Sequence, residues 1–164
     1  DIPIMLYNVP SRTGIRMEPQ TIAELHKIPN IVAIKEACGS VDQVSQILSL
    51  CDINVVSGDD SLTLPMIAVG ATGVVSVAAN VAPAEIAALC DAANKGDFAA
   101  ARIIHYALMP LFKALFLETN PMPVKAALAK MGLIKNVLRL PLTPVLDATR
   151  AKLDPILRDL HLIK

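Results

Sequence analysis

The sequence predicts an α/β fold in which a parallel sheet is flanked by helices and followed by a helical carboxyl-terminal region. Three observations carry that expectation. Four short, β-branched segments, Ile2 to Tyr7, Ile31 to Lys35, Ile53 to Ser57 and Gly73 to Val77, recur in the first half of the 164-residue chain. Apolar residues at helical spacing fill the gaps between them, and strand–helix alternation of this kind closes by right-handed crossovers into a parallel sheet. After Ala79 the strand signals cease and helix signals continue to the end.

The first strand runs into Tyr7-Asn8-Val9-Pro10-Ser11-Arg12-Thr13-Gly14, whose Thr-Gly end is turn chemistry. A helix is expected from about Pro19 to Lys27, with Pro suited to the first turn and Ile22, Leu25 and His26 on one face. The run Ile31-Val32-Ala33-Ile34 is wholly apolar and reads as a strand buried on both faces. Ser40-Val41-Asp42-Gln43 has capping-box spacing and opens a helix carrying Val41, Val44, Ile47 and Leu48 at helical intervals. Asp59 and Asp60 are placed to cap a third helix from Ser61 to Val69, which Gly70 stops. Farther on, Pro83 to Lys95 is closed by Gly96, and Asp97 can cap a long helix from Phe98 to about Leu117 in which Pro110 predicts a kink or break. Pro123 to Met131 ends at Gly132, and Thr143-Pro144 has the cap-then-first-turn order for a last helix that Pro155 bends.

Composition narrows the function classes. The chain is 54% hydrophobic but only 3% aromatic, with no Trp, so its core is aliphatic. Fifteen basic and fifteen acidic side chains give no net charge, and no basic stripe with interleaved aromatics is present; both argue against a charge-driven nucleic-acid surface. Apolar runs fall short of the roughly 18 to 20 residues that cross a bilayer, and the start carries no signal segment. A soluble protein of a reducing cytoplasm is expected, with Cys38, Cys51 and Cys90 unpaired. Neither these cysteines nor His26, His105 and His161 have metal-ligand spacing. Cys38 lies three residues after Lys35 but has no adjoining base, so packing is its expected role.

The chemistry-bearing feature is Lys35, an amine at the tip of an apolar strand. Burial disfavours a charged lysine, and a neutral amine attacks carbonyls to form a Schiff base. An isolated strand-end lysine more often reaches water along its aliphatic stem. Its company changes the reading. If the first two strands are parallel neighbours, their carboxyl ends bring Tyr7, Arg12 and Lys35 to one rim, where α/β folds build active sites. Lys35 then serves as nucleophile, Tyr7 as proton relay and Arg12 as a fork for a substrate carboxylate. Glu36 must point to the opposite face of the strand, which makes it a structural partner rather than a base. Asp59 and Asp60 read as caps rather than metal ligands, since no third ligand converges.

Tyr7-Asn8-Val9-Pro10-Ser11-Arg12-Thr13-Gly14, Ile34-Lys35-Glu36-Ala37, Ser57-Gly58-Asp59-Asp60, Gly73-Val74-Val75-Ser76-Val77, Asn120-Pro121-Met122-Pro123-Val124-Lys125 and Leu138-Arg139-Leu140-Pro141-Leu142-Thr143-Pro144 together closely resemble the dihydrodipicolinate (4-hydroxy-tetrahydrodipicolinate) synthase family of the pyruvate-dependent class I aldolase (N-acetylneuraminate lyase-like) superfamily. The resemblance spans the chain. Arg12 is its most discriminating element, because the related sialic-acid lyases keep a Tyr and a downstream Lys but generally lack that arginine. The family's fold is a (β/α)8 TIM barrel, typically of roughly 250 residues or more. The chain opens at Asp1 without an initiator Met and enters a strand almost at once, so the resemblance implies the C-terminal half of a barrel. On that reading, residues 1–82 hold four βα units equivalent to strands 5–8, and residues 83–164 hold the last barrel helix and a C-terminal helical extension.

The resemblance further implies a lyase that condenses pyruvate with L-aspartate 4-semialdehyde, on the route to diaminopimelate and lysine. Lys35 would form the imine, Tyr7 would shuttle protons, and Arg12 would bind the aldehyde's carboxylate. The backbone at Gly58 and the carbonyl of Val75 would line the pyruvate site, with no metal and no organic cofactor. Homotetramers are implied for the family. A Gly-Thr-Thr-Gly-type motif and a tyrosine contributed by a neighbouring subunit have no counterpart here, and Tyr106, in a helical stretch, does not fill that place. The chain alone is therefore expected to be inactive without a missing N-terminal half. Two alternatives stand beside this reading: another pyruvate-dependent aldolase of the superfamily, or a catalytically inactive half-barrel that acts in assembly.

Overall fold

A computed structural model describes residues 2–164. Strands β1 (Ile4–Asn8), β2 (Ile31–Glu36), β3 (Asn54–Ser57) and β4 (Gly73–Val74) form a parallel sheet in the order β1-β2-β3-β4. Helices α1 (Pro10–Thr13), α2 (Pro19–His26), α3 (Val41–Leu50), α4 (Thr63–Ala68), α5 (Pro83–Asn94), α6 (Phe98–Ala114), α7 (Met122–Lys130) and α8 (Asp147–Asp159) complete the chain. The strand–helix alternation followed by helices is the predicted α/β architecture. Two compact units divide it: one runs to Ser76 and takes in Cys90–Ala101, and the other comprises Val77–Leu89 with Arg102–Lys164.

In the first unit, Ile22 of α2, Val44 and Ile47 of α3 and Met66 of α4 close over Ile34 and Val55 of the sheet, all at zero exposure. Each such side chain contributes roughly 1.5 to 3 kcal/mol by leaving water. A smaller cluster joins Leu64 and Ile67 of α4 to Ala93 of α5 and Ala101 of α6. These helices seal one sheet face only. On the other, Met5 and Tyr7 are about half exposed at 47% and 49%. It is the edge strand β1 that is open there; β2 is buried on both faces, as its apolar run predicts, with Ala33 at 3% on the Lys35 face and Ile34 at 0% on the helix face, and only Val32 in the run exposed.

The second unit buries Leu108, Leu111 and Leu115 of α6, Val124 and Ala127 of α7, and Leu153 and Leu157 of α8. Lys130 of α7 pairs with Asp154 of α8 at 3.0 Å. Pro110 and Pro155 lie inside unbroken helices, so neither ends its element. The last helix starts at Asp147, three residues beyond the predicted Thr143-Pro144 start, where the Leu146 N–H donates to Glu118 Oε1 at 3.0 Å. A distant carboxylate outweighs the local cap signal.

Capping follows the sequence at two places and departs from it at a third. Ser40 Oγ accepts the Gln43 N–H at 3.2 Å and Asp97 Oδ1 accepts the Ala100 N–H at 3.0 Å, as their spacing predicts. Asp59, by contrast, makes no side-chain cap bond. A 3-10 turn over Asp60–Leu62 precedes α4, and Ser57 Oγ occupies the turn instead, donating to Asp59 O at 2.8 Å and accepting the Asp59 N–H at 3.2 Å. Strand β4 ends at Val74, three residues short of the predicted Val77.

Cys38, Cys51 and Cys90 are free. His26 bridges Ile31 O and Asp52 Oδ1, both at 3.0 Å. Among the described residues no cluster of three His, Cys, Asp or Glu is arranged to hold a metal, and no helix is long and apolar enough to cross a membrane.

Candidate active site

A parallel sheet delivers the carboxyl ends of all its strands to one edge, and the two-residue period of a strand decides which side chains share a face. Tyr7 pairs with Lys35 in the β1–β2 register, and Asn8 pairs with Glu36 one step later. The first rung therefore faces the uncovered side and the second faces the helices. Lys35 is half-buried, and its Nζ lies over the Tyr7 ring, 4.2 Å from the centroid. The phenol and the amine expected to meet do meet, on the face of an aromatic ring rather than in a sealed apolar slot.

Gly58 sits at the carboxyl end of β3, with its N–H donating to Glu36 O at 2.7 Å. A Cβ there would lie 2.5 Å from Ala37 Cβ and 3.1 Å from Lys35 Cε. Absence of a side chain thus leaves room for the lysine stem. Val75 follows β4; its N–H donates to Ser57 O at 2.9 Å, and its side chain is 42% exposed. Gly58 and Val75 therefore lie at the same sheet edge as Tyr7 and Lys35. Arg12 stands in α1, the single turn that leaves β1, and is exposed; among the described residues its guanidinium makes no hydrogen bond or ion pair. The structure brings Arg12 to the edge, and among the described residues no hydrogen bond, ion pair or cation–π contact joins it to Tyr7 or Lys35.

Electrostatics separate the other groups near this edge. Burial pushes the Cys38 thiol up to about 11, helped by its hydrogen bond to Glu36 and that carboxylate's charge. A thiol held that high is a poor nucleophile at neutral pH. Asp59 is likewise raised above the ordinary carboxylate value, first by burial, then by Asp60 and Glu36, with the Lys35 charge opposing.

Behind the Tyr7–Lys35 rung lies an arrangement that sequence reading only half anticipated. Glu36 is fully buried, as are Gln43 and, nearly so, Asn8. Asn8 Nδ2 donates to both Glu36 carboxylate oxygens at 3.0 Å, Gln43 Nε2 donates to Oε2 at 3.0 Å, and the Cys38 N–H donates to Oε1 at 2.9 Å. The structural role expected of Glu36 is present, but Asn8 and Gln43 were not singled out as its partners. The available signal was parity: Asn8 and Glu36 each follow a residue of the candidate site. A cavity of about 660 Å³ lined by Leu48, Cys51, Asp52, Ile53, Asn54 and Thr72 lies at the amino ends of the strands, away from this chemistry.

Comparisons with known proteins place the chain. A model of the dihydrodipicolinate synthetase family matches residues 1–160. A 4-hydroxy-tetrahydrodipicolinate synthase of Pelobacter propionicus is 53% identical over 165 residues, covering 99% of this chain and 57% of that protein. The crystal structure of dihydrodipicolinate synthase from Aquifex aeolicus superposes with a TM-score of 0.96 at 48% identity, covering 99% of this chain and 56% of its own. The chloride-inhibited dihydrodipicolinate synthase of Acinetobacter baumannii, crystallised in complex with pyruvate, superposes with a TM-score of 0.96 at 39% identity, covering 99% and 57%. The chain spans little more than half the length of the relatives it matches.

Proposed function

The chain belongs to the dihydrodipicolinate synthetase family, and we propose that it carries the imine-forming part of a lyase that condenses pyruvate with L-aspartate 4-semialdehyde. The observation that supports this most directly is the Lys35 amine resting on the Tyr7 ring at the carboxyl edge of a parallel sheet. The four-βα-unit architecture fits the carboxyl half of a (β/α)8 barrel, whose catalytic edge is the same one.

Lys35 Nζ attacks the ketone carbon of pyruvate, a C–N bond forms, and the carbonyl oxygen leaves as water after two proton transfers. Tyr7 is the group beside the amine able to carry those protons. Loss of a methyl proton from the protonated imine then gives an enamine. Its carbon attacks the aldehyde carbon of the second substrate, whose oxygen takes up a proton; the amino group of that substrate then adds to the imine carbon, closing the ring and breaking the C–N bond to Lys35, which leaves as the free amine. The protonated imine is the electron sink, so no metal or organic cofactor enters this scheme. The Gly58 backbone and the Val75 carbonyl are assigned to the pyruvate site, and Arg12 to the carboxylate of the semialdehyde, which its free guanidinium is suited to grip bidentately.

Borohydride reduction of the complete encoded protein in the presence of pyruvate, followed by peptide mass spectrometry, tests the reading. One reduced pyruvate adduct is expected, on Lys35; an adduct elsewhere removes the mechanism. The second substrate is tested separately. Arg12→Ala is expected to lower kcat/KM for aspartate semialdehyde by about a hundredfold, the scale of a lost charged, bidentate contact, while leaving pyruvate trapping at Lys35 within about threefold. Equal activity with the semialdehyde in both proteins would favour another aldehyde and a related pyruvate aldolase.

A further inference from the structure

We propose that Glu36 is a positioning residue for Lys35: its buried carboxylate locks the β1–β2 register and thereby holds the amine on the Tyr7 ring. The inference rests on the imine reading above and extends it to the opposite face of the sheet. The Asn8–Glu36 rung is the register step next to Tyr7–Lys35. Because side chains alternate across a strand, a slip of one residue would carry Lys35 to the helix-covered face and Glu36 to the open one. What opposes that slip is a network that admits only an acceptor at position 36.

The two side-chain donors around the carboxylate are each committed by a second bond. Asn8 cannot turn its amide, since its Oδ1 accepts the Met17 N–H at 3.0 Å. Gln43 cannot turn either: its Oε1 accepts from Arg16 Nε, and its Nε2 also donates to Met17 O at 3.0 Å. The Cys38 N–H is fixed by the backbone. Four donor contacts therefore converge on two oxygens, and a glutamine at 36 would oppose an N–H₂ group to donors that have no way to reverse. Through Asn8, Cys38, Gln43 and Met17 the carboxylate joins β1, the segment after β2, α3 and the segment before α2. Two of these, β1 through Asn8 and the segment after β2 through Cys38, lead directly to the strand ends that present Tyr7 and Lys35.

The test is Glu36→Gln in the complete encoded protein, read as the rate of borohydride-trapped adduct per folded molecule, with kcat and KM for pyruvate measured alongside. Trapping is expected to slow by about tenfold or more and kcat to fall, while the double variant E36Q/Q43E, which returns a carboxylate to the network, recovers a large part of the loss. A group that only supports stability would lower Tm without changing the rate of the molecules that remain folded. Should E36Q not fold, Gln43→Ala and Asn8→Ala each remove one arm, and each is expected to slow trapping severalfold in folded protein. Trapping at Lys35 that is equally fast in wild type and in folded E36Q, or in both single-arm variants, overturns this inference alone. Wild-type protein that forms no adduct at Lys35 overturns the imine reading and this inference with it.

Discussion

Lys35→Arg is expected to abolish covalent capture of pyruvate while leaving the protein folded. Arginine keeps a cation near the Tyr7 face, where Lys35 Nζ now lies 4.2 Å from the ring centroid, but a guanidinium stays protonated and does not form the imine. Turnover should fall by about three orders of magnitude or more, because the nearest thiol does not stand in: Cys38, three residues on, is held as a neutral thiol with its pKa pushed up to about 11. Mass spectrometry after borohydride should find no adduct, and the melting temperature should stay within a few degrees of wild type. Residual turnover within about tenfold of the parent would show that Lys35 is not the imine-forming residue.

Gly58→Ala is the second large effect, and it acts by space rather than by chemistry. The added methyl would lie 2.5 Å from Ala37 Cβ, a rigid neighbour, 3.1 Å from Glu36 O and 3.1 Å from Lys35 Cε. The strand ends have to part to relieve the Ala37 contact, and the lysine stem is displaced with them. Overpacking of this kind costs about 1 to 3 kcal/mol of stability, visible as a lower denaturant midpoint. A shift of about 1 Å in a reacting group costs on the order of a hundredfold in rate, so trapping at Lys35 is expected to fall by about ten- to a hundredfold even in folded protein. A stable G58A with wild-type trapping would show that the glycine is merely a turn residue.

The candidate site was legible to different depths. Tyr7 and Lys35 could be paired from sequence because each ends an apolar, β-branched run, and parallel neighbours must bring such ends to one edge. Arg12 could be placed at that edge by its distance along the chain, but its contacts could not be read, since a turn leaves the side chain free to aim in several directions. Gly58 and Val75 came only from resemblance. The close packing of Gly58 on Lys35 involves residues 23 apart that share no local pattern. The Asp59 cap failed because Ser57, two residues earlier, competes for the same turn and wins.

Periodicity, caps and strand composition are properties of residues a few places apart, and they determined the order of elements, the parallel sheet and the alternation that sends Lys35 one way and Glu36 the other. The tertiary structure decided which of those faces is covered, where β4 and α8 begin and end, and which donors close on Glu36. Those outcomes depend on groups as far apart as Asn8 and Glu36, or Glu118 and Leu146, 28 residues in each case. Such pairs meet only once the chain has packed, and their hydrogen bonds then override the weaker preferences of the segments that carry them.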